Sequence, residues 1–345
     1  MTEVLYKGTA RNGTELKKAL LLAADVFQEN VNDEAVDFKG QMVSPEGELL
    51  LENIIVLVSS NGEVCGTCFL VDRFFFKNDE LIKGTYLSSI CVDESFRGKG
   101  LSIILMTEAI NECEKRNSVF AVVIARKAVD YYYNKLFFWG VSQYVKINFT
   151  ISFATYKGPD YQILPAAEAD IDRLHKIYTG VYSKLYGASS RSSNYWKYIL
   201  WKTAKQDVQF DCFTLNNQVI GYTLSVGSNI YEIAVLDGAY YLSVLGSLKK
   251  KYDLPDIYCI HASEKHPFLG ELVNSDFTVS RRQCNYGGHM VRLIHPGELA
   301  LPGKLTVNGS GYNFEDTCRL LGIDVLSDPG EGKRESFNIP LMDHI

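Results

Sequence analysis

The sequence predicts an α+β protein made of two related domains, each a mixed sheet with helices packed against it. Three observations predict this. Runs with strand and helix periodicity alternate along the 345 residues. The order strand, helix, hairpin, strand, helix, strand starts again after Gly158-Pro159-Asp160. One hexapeptide also returns at a constant offset: Asn61-Gly62-Glu63-Val64-Cys65-Gly66 is matched by Asn216-Asn217-Gln218-Val219-Ile220-Gly221. A repeat this long means duplicated domains, since solenoid repeats run about 20–50 residues. The expected division is 1–155, 156–297 and a C-terminal extension, 298–345.

In the first half, Val4–Lys7 reads as a short strand. Thr14–Glu29 reads as an amphipathic helix, with Thr14 as N-cap and Leu16, Leu20, Ala23 and Phe27 on one face. Asn53–Ser59 and Val64–Phe69 flank Asn61-Gly62, a strong hairpin signal because a tight turn there needs positive φ at both central positions. Gly84–Val92 is a strand, Leu101–Lys115 a helix, Val119–Ala125 a strand, Val129–Leu136 a helix and Gln143–Ala154 a strand. In the second half Tyr161–Leu164, Tyr231–Val235, Ile257–Ala262 and His289–Ile294 read as strands. Ala169–Lys184, Leu242–Lys251 and Pro267–Val273 read as helices, and Asp316–Leu321 adds a short one.

Composition narrows the function. Hydrophobic residues make up 46% and charged residues 22%, a globular balance, and the net charge is −6. No block of basic residues supports a nucleic-acid partner, and mild acidity suits a substrate carrying positive charge, such as an amine. Eight cysteines scattered through apolar runs read as buried free thiols of a reducing compartment. Cys65 and Cys68 form a CxxC, but in a strand their side chains point to opposite faces and cannot share a metal, so no metal is expected. The N-terminal segment lacks the basic-then-apolar form of a signal peptide. No apolar run reaches the roughly 18 residues that cross a bilayer. The expectation is a cytoplasmic protein with no membrane partner.

One segment carries chemistry: Leu87-Ser88-Ser89-Ile90-Cys91-Val92-Asp93-Glu94-Ser95-Phe96-Arg97-Gly98-Lys99-Gly100-Leu101-Ser102. A strand ends near Asp93, a short turn follows, and a helix begins at Leu101. Amides from Gly98 through Lys99, Gly100 and Leu101 to Ser102 then converge, unpaired, at the positive end of a helix dipole, which is a pyrophosphate site built from backbone. Glycine lets the main chain approach phosphate without an intervening Cβ, and Ser102 adds a hydroxyl.

Arg97 to Ser102 resembles the Arg/Gln-x-x-Gly-x-Gly/Ala signature of the GNAT superfamily of acyl-CoA-dependent N-acyltransferases, with Ser102 in place of the last small residue. The resemblance implies acetyl-CoA, or another acyl-CoA, as co-substrate, with its pantetheine arm on the backbone of Ile90, Cys91 and Val92. Tyr132-Tyr133-Asn134-Lys135-Leu136-Phe137-Phe138 resembles the family's aromatic-Tyr-x-Lys-x-Gly-Phe helix end, with Phe137 where the family has Gly. By that resemblance Tyr133 is the general acid that protonates the leaving thiolate. A phenol of ordinary pKa about 10 stays protonated at pH 7 and can serve; packing beside Tyr131, Tyr132 and Phe138 is the competing reading.

The whole chain resembles tandem GNAT proteins, in which a degenerate second domain shapes the acceptor site of the first. Where Arg97–Ser102 should recur, the chain reads Asp237-Gly238-Ala239-Tyr240-Tyr241-Leu242, whose tyrosines obstruct a phosphate. Pro267–Phe277 offers no counterpart of Tyr133, so a single active centre is expected. Arg191-Ser192-Ser193-Asn194-Tyr195-Trp196 and Met290-Val291-Arg292-Leu293-Ile294 resemble further motifs of that group. Tyr195, Trp196 and Trp201 line a pocket or pack in the core. His261 and His266 are explained by packing or capping.

The expected reaction is N-acetyl transfer from acetyl-CoA to a primary amine of a small molecule or peptide, by direct attack without a covalent intermediate. Cys91 has no neighbouring His motif to make it a nucleophile. Asp93 and Glu94 point toward the phosphates and are poor bases in this reading. His344 or the terminal carboxylate, in the tail Pro340–Ile345, is a candidate base that competes with a solvated tail. The alternative function is an acyl-CoA-binding or sensing module, or a partner-binding module, without turnover.

Overall fold

The alternation of periods becomes two mixed sheets in the computed structural model. It describes residues 3–27, 50–77, 80–125, 130–141, 143–150, 161–253, 257–263, 265–273, 278–285, 289–299 and 311–321. The first sheet has six strands in the order β1 (Val4–Thr9), β2 (Ile54–Ser59), β3 (Val64–Lys77), β4 (Glu80–Val92), β5 (Phe120–Ile124) and β13 (His289–Leu293). The second has seven, in the order β12 (Thr278–Asn285), β6 (Gln143–Thr150), β11 (Ile257–Ala262), β10 (Asn229–Val235), β9 (Gln218–Val226), β8 (Gln209–Leu215) and β7 (Gln162–Pro165). Each sheet is mixed: β4 runs parallel to β5 and β10 parallel to β11, while β1–β2, β2–β3 and β13–β5 are antiparallel, as are β12–β6, β6–β11, β10–β9, β9–β8 and β8–β7 in the second sheet.

Two of these strands correct the expected division of the chain. The strand beginning at Gln143, expected to close the first domain, is β6 and pairs with β11 and β12. The strand beginning at His289, expected to close the second, is β13 and pairs with β5. The compact units are accordingly discontinuous. One comprises Met1–Arg73, Lys83–Trp139 and Gly288–Leu320, the other Phe74–Ile82, Gly140–Gly287 and Leu321–Ile345. Boundaries at 155 and 297 do not follow them. An apolar period-2 run specifies a strand but not its neighbour, which long-range pairing decides.

In the first unit the core lies on both faces of the sheet. Alternate residues of β2 divide between them. Ile54, Val56 and Val58 join Ala19, Leu20 and Ala23 of α1 (Gly13–Val26). Ile55 and Leu57 join Leu105, Met106, Ala109 and Ile110 of α2 (Leu101–Lys115). All of β2 is therefore buried, as a strand covered by helices on both sides must be. The N-cap of α1 lies two residues earlier than expected: Asn12, not Thr14, takes that place and accepts from the Glu15 amide at 3.0 Å. In the hairpin of β2 and β3 only Gly62 takes positive φ (74°), with its amide on the Ser59 carbonyl at 2.9 Å. The corresponding turn between β8 and β9 does place both Asn216 (51°) and Asn217 (61°) there.

The second unit packs α6 (Tyr241–Tyr252) and α7 (Pro267–Val273) over Phe213, Ile233, Val235 and Ile260. Beneath α4 (Ile171–Tyr182) and α5 (Ser193–Lys205) lies an aromatic cluster around a buried ion pair. The guanidinium of Arg191 makes two bonds to the Glu232 carboxylate, at 2.7 and 2.6 Å, and the Tyr222 hydroxyl donates to Glu232 at 2.7 Å. Arg191 also stacks 4.1 Å from the Tyr178 ring and 4.8 Å from that of Trp196. Trp196 and Tyr195 are buried in the core, which answers the pocket-or-core question for both.

Cys65, Cys68, Cys91, Cys113, Cys212, Cys259 and Cys318 are buried and outside any disulfide. Burial raises the thiol of Cys68 well above its ordinary range and that of Cys113 to about 12, so both stay neutral. No group of His, Cys, Asp or Glu among the described residues can hold a metal. Among them, too, no helix is long and apolar enough to cross a membrane.

His266 caps α7. Its Nδ1 accepts from the Phe268 amide at 3.2 Å, and its Nε2 lies 3.1 Å from the Ile233 carbonyl, which fixes the neutral tautomer with the proton on Nε2. Burial lowers its pKa from 6.5 to about 4. Below pH 6.5 the unfolded chain binds a proton that the folded chain resists, so stability falls as pH drops from 6.5 to 4, by about 3 kcal/mol in total. Urea unfolding at pH 7 and pH 4.5 reads this loss. His266→Asn, which can still cap, is expected to flatten the pH dependence in that window.

Candidate functional site

Strand β4 pairs in parallel with β5 only from Gly84–Phe120 to Leu87–Val123. Beyond Leu87 the two strands part. Ser89 follows at φ 47°, a left-handed value in mid-strand that is rare for a residue with a side chain. It breaks the in–out alternation, so Ser88, Ser89 and Ile90 are all half-buried before Cys91 turns inward. The backbone of Ser88–Val92 thus has an edge that β5 does not cover. The predicted residues Ile90, Cys91 and Val92 lie on that edge.

The strand ends where the Asp93 amide bonds the Cys65 carbonyl at 3.0 Å. The Asp93 carboxylate then caps a 3₁₀ turn, Glu94–Phe96, accepting from the Ser95 amide at 2.9 Å. Asp93 is thereby occupied locally. Gly98 (φ 78°) and Gly100 (φ 75°) carry the chain through two left-handed steps into α2. Gly100 is the N-cap and has no side chain to give, so the first amides of α2 have no cap. A Cβ at either glycine would meet nothing within 4 Å. Internal packing leaves that space open, and φ alone demands glycine. Arg97 and Lys99 are exposed around the turn: Arg97 Nε reaches the Val92 carbonyl at 3.3 Å, and Lys99 lies 4.8 Å from the Phe96 ring. Leu101 is buried and Ser102 is half-buried on the first turn of α2. An uncapped helix start with two exposed cations and room for a ligand is fitted to a phosphate group.

Tyr133 belongs to α3 (Asp130–Asn134), shorter than the expected Val129–Leu136. The reason is a Schellman motif. The Phe137 amide bonds the Asn134 carbonyl and the Phe138 amide bonds the Tyr133 carbonyl, each at 3.1 Å, with Phe137 left-handed at φ 60° between them. The apolar contact such ends require is the Tyr133 ring against Phe138, edge to face with centroids 6.0 Å apart. The Tyr-x-x-x-Gly-Phe spacing is thus a helix ending that pins the tyrosine at both its carbonyl and its ring. Phe137 occupies the left-handed position where glycine costs nothing, a strain of about 1–3 kcal/mol for a bulky residue.

Tyr133 is 8% exposed and shares one apolar cluster with Leu87, Leu101 and Leu105, against which Ile90, Val92 and Phe96 also pack. Burial, with Cys68 and Tyr132 beside it, raises its phenol far above 10. The Tyr132 hydroxyl is buried next to Ser102 without meeting it at hydrogen-bond geometry. The structure therefore brings the β4 edge, the glycine turn and Tyr133 into one region of the first unit. Arg191, Tyr195 and Trp196 belong to the core of the second. His261 lies on β11 and His266 caps α7. The tail with His344 lies outside the described residues.

Parts of this frame have parallels in the second unit. A Cβ on Gly66 would lie 3.4 Å from the Cys91 carbonyl, and one on Gly221 would lie 2.8 Å from the Ala234 carbonyl, so each glycine lets its hairpin approach the next strand. β10 leaves β11 after two paired residues, Asn229–Cys259 and Ile230–Ile260. Asp237 then caps a 3₁₀ turn, Gly238–Tyr240, as Asp93 does, but α6 starts at once with Tyr241. Asp237 thus corresponds to Asp93 rather than to Arg97, and the four residues Arg97–Gly100 have no equivalent. The exposed edge of β10 is filled from within, because His266 takes the Ile233 carbonyl. Sequence reasoning missed two features of the first site: Ser89 carries no residue-type signal for its conformation, whereas Phe137 in place of glycine was such a signal.

Residues 10–137 match the model of an acetyltransferase (GNAT) domain. No curated protein matches the chain. Solved structures share the fold at low identity. A GCN5-related N-acetyltransferase from Kribbella flavida matches at TM-score 0.62 and 14% identity over 86% of this chain and 73% of its own. One from Anabaena variabilis matches at 0.63 and 13%, over 84% and 72%. Eis1 from Mycobacterium abscessus matches at 0.61 and 14%, over 85% and 75%. Residues 10–137, which hold the parted strands, the glycine turn and the pinned tyrosine, are the part of the chain that matches the GNAT domain, and the solved structures share the fold.

Proposed function

We propose that the protein is an N-acetyltransferase that moves an acetyl group from acetyl-CoA to a primary amine by direct attack. The observation that carries this reading is the left-handed Gly98–Gly100 turn, which opens an uncapped helix where β4 has left its parallel neighbour. In this reading the amides of Gly98, Lys99, Gly100, Leu101 and Ser102 hold the pyrophosphate, with Arg97 and Lys99 adding positive charge. The backbone of Ile90, Cys91 and Val92, on the edge that β5 does not cover, pairs with the pantetheine amides as a strand edge pairs with an extended peptide. The neutral amine attacks the thioester carbonyl, the C–S bond breaks, and Tyr133 gives its proton to the departing sulfur; the proton shed by the amine nitrogen passes to solvent, from which Tyr133 is reprotonated. A phenol held far above 10 is a weak acid, but it is reliably protonated and well matched to a thiolate in a dry pocket. The second unit is, in this reading, a degenerate copy that lost the phosphate turn, and its matched glycines and Asp-capped turns support that descent.

Two variants test the reading separately. Tyr133→Phe is expected to lower kcat by about 10²-fold, with KM for acetyl-CoA within about twofold, in a thiol-release assay against a panel of primary amines. Because burial raises the Tyr133 phenol above its ordinary 10.0, no alkaline loss of kcat below pH 10 should trace to it. Wild-type protein that binds CoA but releases no thiol with any amine would make it a binding module instead. Gly100→Val forces a β-branched side chain to φ 75° and puts a Cβ into the open cradle. KM for acetyl-CoA should rise by about tenfold or more, with kcat at saturation little changed. An unchanged KM would remove the turn from donor binding.

A further inference from the structure

The left-handed Phe137 needs a clamp, and the described structure supplies one from far along the chain. β13 pairs with β5 on one side through Val291–Val122, and on the other Val291 exchanges two backbone bonds with Trp139, at 2.9 and 2.8 Å. The next residue, Arg292, is 8% exposed, and its Nη1 donates to the Leu136 carbonyl at 2.7 Å. Leu136 is the residue just before Phe137, and its carbonyl is one that the ended helix leaves unsatisfied. The guanidinium sits 5.7 Å from the Phe137 ring centroid. On another side the Phe137 ring lies against Gly311, where a Cβ would stand 2.5 Å from the Phe137 Cγ. Trp139 Nε1 fixes that segment by donating to the Tyr312 carbonyl at 2.9 Å.

We propose that Arg292 is a positioning residue for Tyr133, acting through Leu136 and Phe137. A cation at the C-terminal end of α3 satisfies the Leu136 carbonyl and opposes the negative end of the helix. By holding Leu136 it keeps Phe137 left-handed, and only then do the Phe138 amide and ring reach Tyr133. Release of Phe137 from that conformation would free the Tyr133 carbonyl and ring together. The glycine turn lies on a different element, so donor binding should not respond. The inference rests on the reading of Tyr133 as the acid, and the test keeps the two apart.

The full-length protein is labelled with ¹³Cζ-tyrosine, and the Tyr133 signal is assigned by its absence in Tyr133→Phe. Arg292→Met is expected to shift or broaden that signal, and Arg292→Lys to leave it close to wild type. Phe137→Gly in the Arg292→Met background should restore it, since glycine holds the left-handed position unaided. In thiol release with acetyl-CoA and the amine panel, Arg292→Met should lower kcat by about tenfold with KM for acetyl-CoA within about twofold. In a Tyr133→Phe background it should cause no further loss. An unmoved Tyr133 signal in Arg292→Met, or no recovery with Phe137→Gly, overturns the inference. A moved signal with unchanged turnover, together with full activity of Tyr133→Phe, instead removes the acid role and leaves the positioning intact. If Arg292→Met does not fold, Gly311→Ala, which drives a methyl into the Phe137 ring, is the second perturbation; an unmoved Tyr133 signal there overturns the inference as well.

Discussion

The first unit depends on the short length of its parallel pair. β4 and β5 hold together for four residues, Gly84–Leu87 on Phe120–Val123, and then separate. A parallel pair needs a crossover, and α2 supplies it. The start of that helix must therefore lie beyond the carboxyl ends of the strands, where open sheets bind ligands. Separation frees backbone on β4, and the crossover brings an uncapped helix start to the same end. Had pairing continued through Val92, the edge would be filled and the turn would face a closed sheet. The second unit shows what such closure looks like: β10 and β11 separate even sooner, yet His266 occupies the Ile233 carbonyl and the helix starts without a glycine turn.

Much of this was legible in the sequence because it rests on local rules. The strand-turn-helix at Leu87–Ser102 and the bounds of α2 are dictated by alternation, by glycines that must be left-handed, and by an apolar helical period. Capping by His266 was also foreseeable from its place before Pro267. What was not legible depends on partners distant in the chain. The apolar patterns of β6 and β13 say strand, but nothing in them says which sheet. Ser89 is left-handed although serine has no preference for that region. Tyr195 and Trp196 look alike as pocket walls or as core until the Arg191–Glu232 pair claims the space beside them.

That pair shows a different economy from the donor site. Two charges with no water contact are tolerated because every strong valence is met: a bidentate bond, a tyrosine hydroxyl and two aromatic faces. Such a network adds little net stability but penalises any arrangement that leaves one member alone. In the first unit the uncapped helix amides are the reverse case, polar groups left unmet in an open place. Completeness marks the framework, and incompleteness marks the site.

The partners of β6 and β13 also constrain how the chain can come to be folded. Residues 120–124 acquire their second neighbour only when residues 289–293 arrive, and residues 257–262 and 278–285 must return to a strand at 143–150. As the chain emerges during synthesis, the amino-terminal sheet is left with β5 as a bare, wholly apolar edge until residues 289–293 have followed. Contacts of such long sequence separation close slowly, and exposed edges of this kind recruit other strands. The topology thus places the aggregation hazard on one strand, β5, rather than spreading it over the sheet.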